Sequence, residues 1–301
     1  MTSTTSKPID EIPARGPSSG MVVGVDGSGP SIHALQWAAR RTDRFGPIQP
    51  VIAWHYPWWS YIGPAVPHAD PFEEAARAEV DQALSSVRSM HPSDIAEPIV
   101  VRARAASTLM EIGASAGLIV VGTRGRSGLT DGFVGSVASG VVARSQVPVA
   151  VVPPSAPLDD HHRRVIVGID GSPNSIQAMQ WAAANVPVTS VIEAVHVWAP
   201  EPKPPALSSA QHEAVHKARA RLVLDETLSQ VAKAGPVEPP VRTHLVQGDP
   251  RSVLREWSAR CDLLVLGARG RGTVAHLLVG SVTTALVQRP RATTVVIPTE
   301  G

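Results

Sequence analysis

The sequence lacks the features that would indicate secretion, a membrane or a charged polymer as partner. Its 301 residues include one cysteine, Cys261, so no disulfide can form within the chain. With 27 Lys and Arg against 26 Asp and Glu, the net charge of +1 gives no general attraction for nucleic acid or anionic lipid. No apolar run is long enough to span a bilayer, and the polar start MTSTTSKPIDE lacks the apolar segment of a secretory signal. We therefore expect a cytoplasmic protein without nucleic-acid or membrane partners.

Two nucleotide-binding fingerprints and the usual catalytic sets are also missing. Neither a Walker A loop nor GxGxxG follows a predicted first strand, so any nucleotide site must be built differently. His55 and His196 end the predicted second strands at matching positions, but no Cys or second His lies at ligand spacing from either. No Ser/His/Asp set recurs in both halves. We predict a structural role for these histidines, no metal site and no catalytic residue.

What the sequence does contain is an internal duplication. VVGVDGS at 22–28 returns as IVGIDGS at 166–172, a shift of 144 residues, and GTRGR at 122–126 returns as GARGR at 267–271. Matches in the same order across several loops indicate a duplicated domain. The predicted boundaries are a disordered segment at 1–20, a first domain at 21–153, a proline-rich linker at 154–163 and a second domain at 164–301.

Within each domain, short apolar runs alternate with segments of helical spacing. The runs are MVVGV, PVIAW, PIVVRA, LIVVG and VPVAVV in the first domain and VIVGI, VIEAVHV, VRTHLV, LLVLG and TTVVI in the second. Such runs are typical of parallel strands that are buried on both faces. Helical spacing in the first domain covers 30–43, 72–90, 107–116 and 134–145. The alternation predicts an α/β fold with right-handed crossovers and helices on both faces of the sheet.

A glycine pattern follows the predicted fourth strand of each domain. It reads Gly-x-x-Gly, nine further residues, then Gly-Ser, with identical spacing in both copies. Glycine lets backbone N–H groups approach an anion closely, and the start of the last helix adds more N–H groups and a positive dipole end. The alternative is a glycine-rich turn before a Ser-capped helix. The repetition favours an anion site.

These motifs resemble the universal stress protein family, and the glycine pattern resembles that of its ATP-binding members. The resemblance extends over nearly the whole chain, because each of the two domains carries the motifs. It implies two tandem Rossmann-like (adenine nucleotide alpha hydrolase-like) domains, each a five-stranded parallel sheet of order 3-2-1-4-5. It also implies ATP, alone or with Mg²⁺, at the carboxyl ends of strands 1 and 4, where doubly wound sheets open a crevice.

The function that this resemblance implies is a nucleotide-dependent regulator of stress response or growth with one ATP site per domain. Two alternatives stay open: a slow ATPase or nucleotidyl or phosphoryl transferase that uses the same crevice, and a nucleotide-free scaffold. We further expect a homodimer on top of an intrachain pseudo-dimer, because duplicated domains inherit the interface of a homodimer. The sequence does not identify protein partners.

The predicted nucleotide-binding residues lie at the ends of the first strands and in the glycine loops. In the first domain they are Gly24, Asp26, Gly122, Thr123, Arg124, Gly125, Arg126, Ser127, Gly128, Gly135 and Ser136. In the second domain they are Gly168, Asp170, Gly267, Ala268, Arg269, Gly270, Arg271, Gly272, Gly280, Ser281 and Val282. For the two aspartates the alternative is a turn or cap before the first helix, and for the arginines it is simple solvation.

Three local features depart from a strict repeat. Ala103 stands where the second domain has Gly248, and Gly117 stands where it has Asp262. The segment 56–72 carries Trp58, Trp59 and Tyr61, which either stack on a base or pack against their own domain. These departures concern the first domain, whose glycine loop is nevertheless intact.

Overall fold

The computed structural model describes residues 20–54, 71–88, 94–125, 134–159, 163–199, 208–271 and 278–299. The chain divides into two compact units, Met1–Pro154 and Ser155–Gly301, here called unit 1 and unit 2. Several sequence predictions fall outside the described residues: the segment 1–19, His55, the aromatic residues Trp58, Trp59 and Tyr61, and the loop residues Arg126, Ser127, Gly128 and Gly272.

Unit 1 alternates strands and helices as the sequence predicts. Its described elements are β1 Met21–Gly24, α1 Gly29–Ala39, α2 Thr42–Phe45, β2 Ile48–Trp54, α3 Pro71–Arg88, β3 Ile99–Arg102, α4 Ala105–Ile112, β4 Leu118–Gly122, α5 Ser136–Arg144 and β5 Val149–Val152. Strand β1 pairs in parallel with β2 and β4, β2 with β3, and β4 with β5. The resulting order is β3-β2-β1-β4-β5.

Unit 2 repeats this arrangement. Its described elements are β6 Arg164–Ile169, α6 Pro173–Asn185, β7 Val191–Trp198, α7 Ser209–Ala234, β8 Val241–Gln247, α8 Pro250–Ser258, β9 Leu263–Gly267, α9 Ser281–Gln288 and β10 Thr293–Ile297. Strand β6 pairs in parallel with β7 and β9, β7 with β8, and β9 with β10. In both units the first strand therefore lies between the second and the fourth, as the resemblance implied.

The helices of each unit form two packed pairs. In unit 1, α1 packs on α3 and α4 on α5; in unit 2, α6 packs on α7 and α8 on α9. The chain runs from the first strand to one edge of the unit's sheet and then crosses back to the fourth and fifth strands on the other side. Because the crossovers are right-handed, this reversal places the two helix pairs on opposite faces. The central strands supply the core, with Val22, Val23, Ile119, Ile166 and Val167 fully buried. The predicted α/β fold is confirmed.

Two details differ from the prediction. The helix expected over 30–43 ends at Ala39, because the chain turns at Arg41, whose buried guanidinium stacks 4.1 Å above the Trp37 ring and donates to the Trp37 carbonyl. Strands β3 and β8 lie at sheet edges and are only partly buried, so the expectation of strands buried on both faces is wrong there. No helix in the described part of the chain has the length and apolar character needed to cross a membrane.

Candidate functional site

The Asp-Gly-Ser triplet after the first strand of each unit forms a tight turn. Gly27 and Gly171 both have φ of +75°, a left-handed conformation that favours glycine. The following serines, Ser28 and Ser172, cap α1 and α6 by accepting hydrogen bonds from backbone N–H groups three residues on. This turn explains why the triplet recurs unchanged in both copies.

The aspartates of these turns join the turn to the glycine loop. In unit 2, Asp170 Oδ1 accepts from the Ser172 N–H at 3.0 Å, and Oδ2 accepts from the Arg271 N–H at 2.7 Å. In unit 1, Asp26 Oδ1 accepts from the Ser28 N–H and hydroxyl at 3.1 and 2.6 Å. These hydrogen bonds support the alternative interpretation, in which the two aspartates are turn residues. Their carboxylates nevertheless lie against the predicted phosphate loop.

The glycines of the Gly-x-x-Gly segment are required by close packing. A Cβ on Gly125 would overlap Asp26 Oδ2, and a Cβ on Gly270 would overlap Asp170 Oδ2. A Cβ on Gly122 would lie 2.6 Å from the Pro30 carbonyl oxygen. A side chain at any of these positions would displace neighbouring protein atoms before it met a ligand, so substituting them would not test ligand binding cleanly.

The last helix of each unit begins without a side-chain cap. Gly135 and Gly280 are the N-cap residues of α5 and α9, and neither helix has a side-chain hydrogen bond at its start or an acidic residue in its first turn. The Gly280 N–H donates to the Ala268 carbonyl at 2.8 Å, which joins the start of α9 to the glycine loop. The first-turn N–H groups that follow therefore carry a positive dipole end without a capping side chain.

In unit 2 these parts line one cavity of about 560 Å³ at the carboxyl ends of β6, β7 and β9. Apolar side chains form much of its wall; Val195, Leu254 and Leu266 belong to the hydrophobic core of the unit. The charged residues of its lining are Arg219, Arg269, Arg271 and Asp170, three cations against one carboxylate. An apolar wall with an excess of positive charge suits an amphipathic anion.

Most of the residues predicted for unit 2 meet at this cavity. Its lining includes Gly168, Asp170, Gly267, Arg269, Gly270, Arg271, Gly280, Ser281 and Val282. Ala268 does not line it; this residue is buried and its N–H donates to the Ile297 carbonyl. Gly168 also has a packing role, because a Cβ there would lie 2.7 Å from the Leu266 side chain.

In unit 1 the predicted residues form the same local contacts. Besides the Asp26–Gly125 contact, the Gly135 N–H donates to the Thr123 carbonyl at 2.8 Å, and the Ser28 hydroxyl donates to the Arg124 carbonyl at 3.3 Å. Ser136 is exposed at the start of α5. Gly24 packs against the Leu109 side chain, so its role is in packing, like that of Gly168.

Residues 20–153 and 161–298 each match the family model described as universal stress protein family. The chain belongs to the universal stress protein family. A universal stress protein of Mycobacterium tuberculosis strain H37Rv is 32% identical over 291 residues, which cover 92% of this chain and 96% of the relative. One from Mycolicibacterium smegmatis is 29% identical and covers 89% of this chain and 93% of the relative.

A solved structure that aligns with nearly the whole chain agrees on the fold. A universal stress protein from Archaeoglobus fulgidus aligns with a TM-score of 0.62 at 17% identity and covers 93% of this chain and 98% of its own. A universal stress protein solved in complex with cAMP is 26% identical and covers 46% of this chain and 98% of its own, with a TM-score of 0.34.

Within this tandem universal stress protein, one predicted correspondence is wrong. His196 and His55 do not match. In unit 2, Gly168 pairs with Val195 and His196 is the next residue along β7. In unit 1, the equivalent Gly24 pairs with Val51, and the next residue along β2 is Ile52. His196 therefore corresponds to Ile52. It is buried, and its Nδ1 lies 2.7 Å from the Ile169 carbonyl, in line with the structural role that we predicted.

The departures noted in the sequence have structural counterparts. Asp262 exchanges two hydrogen bonds with the Arg164 backbone, whereas Gly117 makes one, from its N–H to the Gly20 carbonyl. Asp249 caps α8 through the Ser252 N–H, and this bond and that of the Ser252 hydroxyl lower the pKa of its carboxyl. Its counterpart Arg104 makes no side-chain cap for α4.

Sequence reasoning missed the side of the cavity that β7 and α7 supply. His216 and Arg219 from α7, together with Val195, Val197 and Trp198 from β7, line it. No motif marks these residues, and the repeat does not reveal the two from α7, because at a shift of 144 residues His216 and Arg219 meet Phe72 and Ala75. Across the described ranges, no group of three or more His, Cys, Asp or Glu side chains is arranged to hold a metal ion.

Proposed function

We propose that this universal stress protein binds ATP in the cavity of unit 2 and acts as a nucleotide-dependent regulator. The observation that carries the proposal is that the glycine loop, the uncapped start of α9 and an apolar wall line one cavity. Its volume of about 560 Å³ lies within the range of small-molecule sites in proteins.

The polar part of the cavity fits a polyphosphate. The start of α9 offers backbone N–H groups and its dipole, and Arg269 and Arg271 add guanidinium donors. Arg269 also donates to the Leu278 carbonyl at 3.3 Å, so its position is set partly by the chain itself. Phosphate recognition would thus combine backbone N–H groups with positive charge.

The apolar part of the cavity fits a nucleoside. Val195, Leu254 and Leu266 line the cavity with aliphatic side chains, and the partly buried Val197 and Val282 pack against the same core cluster. Burial of an aromatic base on such a surface is favourable because apolar area is removed from water.

The composition of bound nucleotide tests this proposal directly. Mass spectrometry of the supernatant after denaturing the purified protein should detect ATP. Sustained release of ADP from added ATP would favour the slow ATPase or transferase. A protein that is empty after purification and does not bind added ATP would favour the nucleotide-free scaffold.

A charge placed at the start of α9 separates helix stability from ligand binding. Ser281→Asp should preserve or raise stability, because a carboxylate favours a helix N-terminus, yet it should weaken ATP binding at unit 2 at least tenfold by repelling the phosphates. The matched control is Ser229→Asp, the same change at an exposed position on α7. Isothermal titration with ATP and urea unfolding would give both quantities, and normal ATP affinity in folded Ser281→Asp would contradict the proposed site.

A further inference from the structure

The helices that follow the second strands are in strict register between the two units. At a shift of 144 residues, Ala76 corresponds to Ala220 and Val80 to Leu224, and all four side chains are buried. Ala83 and Thr227 likewise correspond and are each 1% exposed. The faces that pack on the sheet are thus equivalent along α3 and α7.

A contact at the Asp-Gly-Ser turn fixes the same register independently. A Cβ on Gly171 would meet Val223 Cγ1, and a Cβ on Gly27 would meet the Cβ, Cγ and Oε2 atoms of Glu79 at 3.4 to 3.5 Å. Glu79 and Val223 therefore occupy equivalent places beside the turn that carries Asp26 or Asp170. A carboxylate stands in unit 1 where unit 2 has an aliphatic side chain.

Along this register, the cavity-facing positions differ in charge. Arg219, which lines the cavity of unit 2, corresponds to Ala75, and His216 corresponds to Phe72. Replacing Arg219 by alanine and Val223 by glutamate removes one positive charge and adds one negative charge. At these two positions, unit 1 is therefore less positive than unit 2 by two charges.

One exchange has the opposite sign but lies elsewhere. Arg104 in unit 1 corresponds to Asp249 in unit 2, at the starts of α4 and α8. Asp249 lines a separate surface groove rather than the cavity. Asp249 is thus not among the residues that line the cavity, and the difference in charge concerns the lining positions.

From these exchanges we propose that the two units are unequal nucleotide sites: unit 2 holds a nucleoside polyphosphate, and unit 1 binds the same polyphosphate more weakly because of Glu79 and Ala75. The inference rests on the proposed function of the cavity. The discrimination acts on phosphate charge, so it is greatest for ATP and least for AMP, and it diminishes as salt screens the charges.

Reciprocal exchanges in the full chain test this inference. Ser281→Asp combined with Arg269→Ala and Arg271→Ala removes the proposed phosphate contacts of unit 2 and leaves unit 1 to be measured; in that background, Ala75→Arg with Glu79→Val should raise ATP affinity. Ser136→Asp blocks unit 1; in that background, Arg219→Ala with Val223→Glu should lower it. Each pair should change the Kd for ATP by about a hundredfold, roughly tenfold per charge at a partly exposed site. The change for AMP should be several-fold smaller.

Matched controls change the same charges on exposed helix positions. Glu74→Val on α3 and Arg221→Ala on α7 should leave the ATP affinity of both units unchanged. Circular dichroism and urea midpoints identify any variant that loses its fold.

The outcomes separate the two proposals. A tighter Kd in the unit 1 exchange and a weaker one in the unit 2 exchange, both larger for ATP than for AMP, support unequal sites. Equal affinity of the two blocked proteins, with exchanges that change nothing, overturns the inference while ATP binding stands. Failure of every folded protein, including the wild type, to bind ATP overturns the proposed function and this inference with it.

Discussion

Asp170 holds two loops of unit 2 together through its two carboxylate oxygens. One oxygen accepts from the Ser172 N–H and the other from the Arg271 N–H, while Gly270 packs against the carboxylate. The repeated triplet was visible in the sequence, but this second hydrogen bond was not, because it joins residues 101 positions apart. The carboxylate thus positions the loop that we propose to bind phosphate.

Asp170→Asn tests this positioning role. The amide retains one acceptor oxygen but cannot accept from both N–H groups, so the free energy of unfolding should fall by about 1 to 2 kcal/mol. ATP affinity should fall as well, although a negative charge is removed, because the Gly270–Arg271 backbone loses its support. Urea unfolding and ATP titration, with the exposed Asp225→Asn as control, give both values. Tighter ATP binding would show that the carboxylate only repels the ligand.

Cys261 is a protected thiol. Burial, and to a lesser extent the charge of Asp262, raises its pKa from 9.0 to about 12. Because the unfolded state loses this proton first, the associated stability is complete below about pH 9 and is lost as the pH rises towards 12. The thiolate is the reactive form, and its lower fraction outweighs the greater nucleophilicity that a higher pKa gives it, so Cys261 should react with a disulfide reagent at pH 8 roughly tenfold or more slowly in the folded protein than in the unfolded one. Equal rates would contradict this.

At the scale of elements, helix starts divide into capped and uncapped ones. Ser172 caps α6, whereas α9 begins at Gly280 without a side-chain cap and α5 repeats that pattern at Gly135. The sequence predicted Ser281 as a site residue from its place after glycine. It also predicted the strands well, since five apolar runs separated by helical spacing have few alternative arrangements. It placed the end of α1 wrongly, because the turn at Arg41 depends on a buried cation–π contact.

Two serine substitutions should therefore affect different quantities, one the stability of the fold and the other the affinity for ATP. Ser172→Ala should lower the free energy of unfolding by about 1 kcal/mol, because the cap of α6 is lost, with little effect on ATP affinity. Ser281→Ala should leave stability nearly unchanged and weaken ATP binding up to about tenfold, because one hydroxyl donor to phosphate is lost while the dipole and the N–H groups remain. Chemical unfolding and ATP titration of both variants check this contrast. A stability loss in Ser281→Ala without a change in affinity would count against its role in binding.

At the scale of the whole molecule, duplication explains both what the sequence predicted and what it missed. Motifs present in both copies, such as the Asp-Gly-Ser turn and the glycine loop, could be recognised because repetition makes chance unlikely. Residues that differ between copies, such as Arg219 and Ala75, carry no motif, and their place beside the cavity depends on packing of α7 against the turn at Gly171. The difference that we propose between the two nucleotide sites therefore lies where the copies diverge.

A crystal structure of the full chain with ATP at a concentration that saturates binding tests the central claim most directly. We predict ATP in the cavity of unit 2, with phosphate oxygens within hydrogen-bonding distance of the backbone N–H groups of Ser281 and Val282, and the base against Val195 and Leu254. Ordered ATP at a different place on unit 2, or an empty cavity under conditions that saturate binding in solution, would contradict the account.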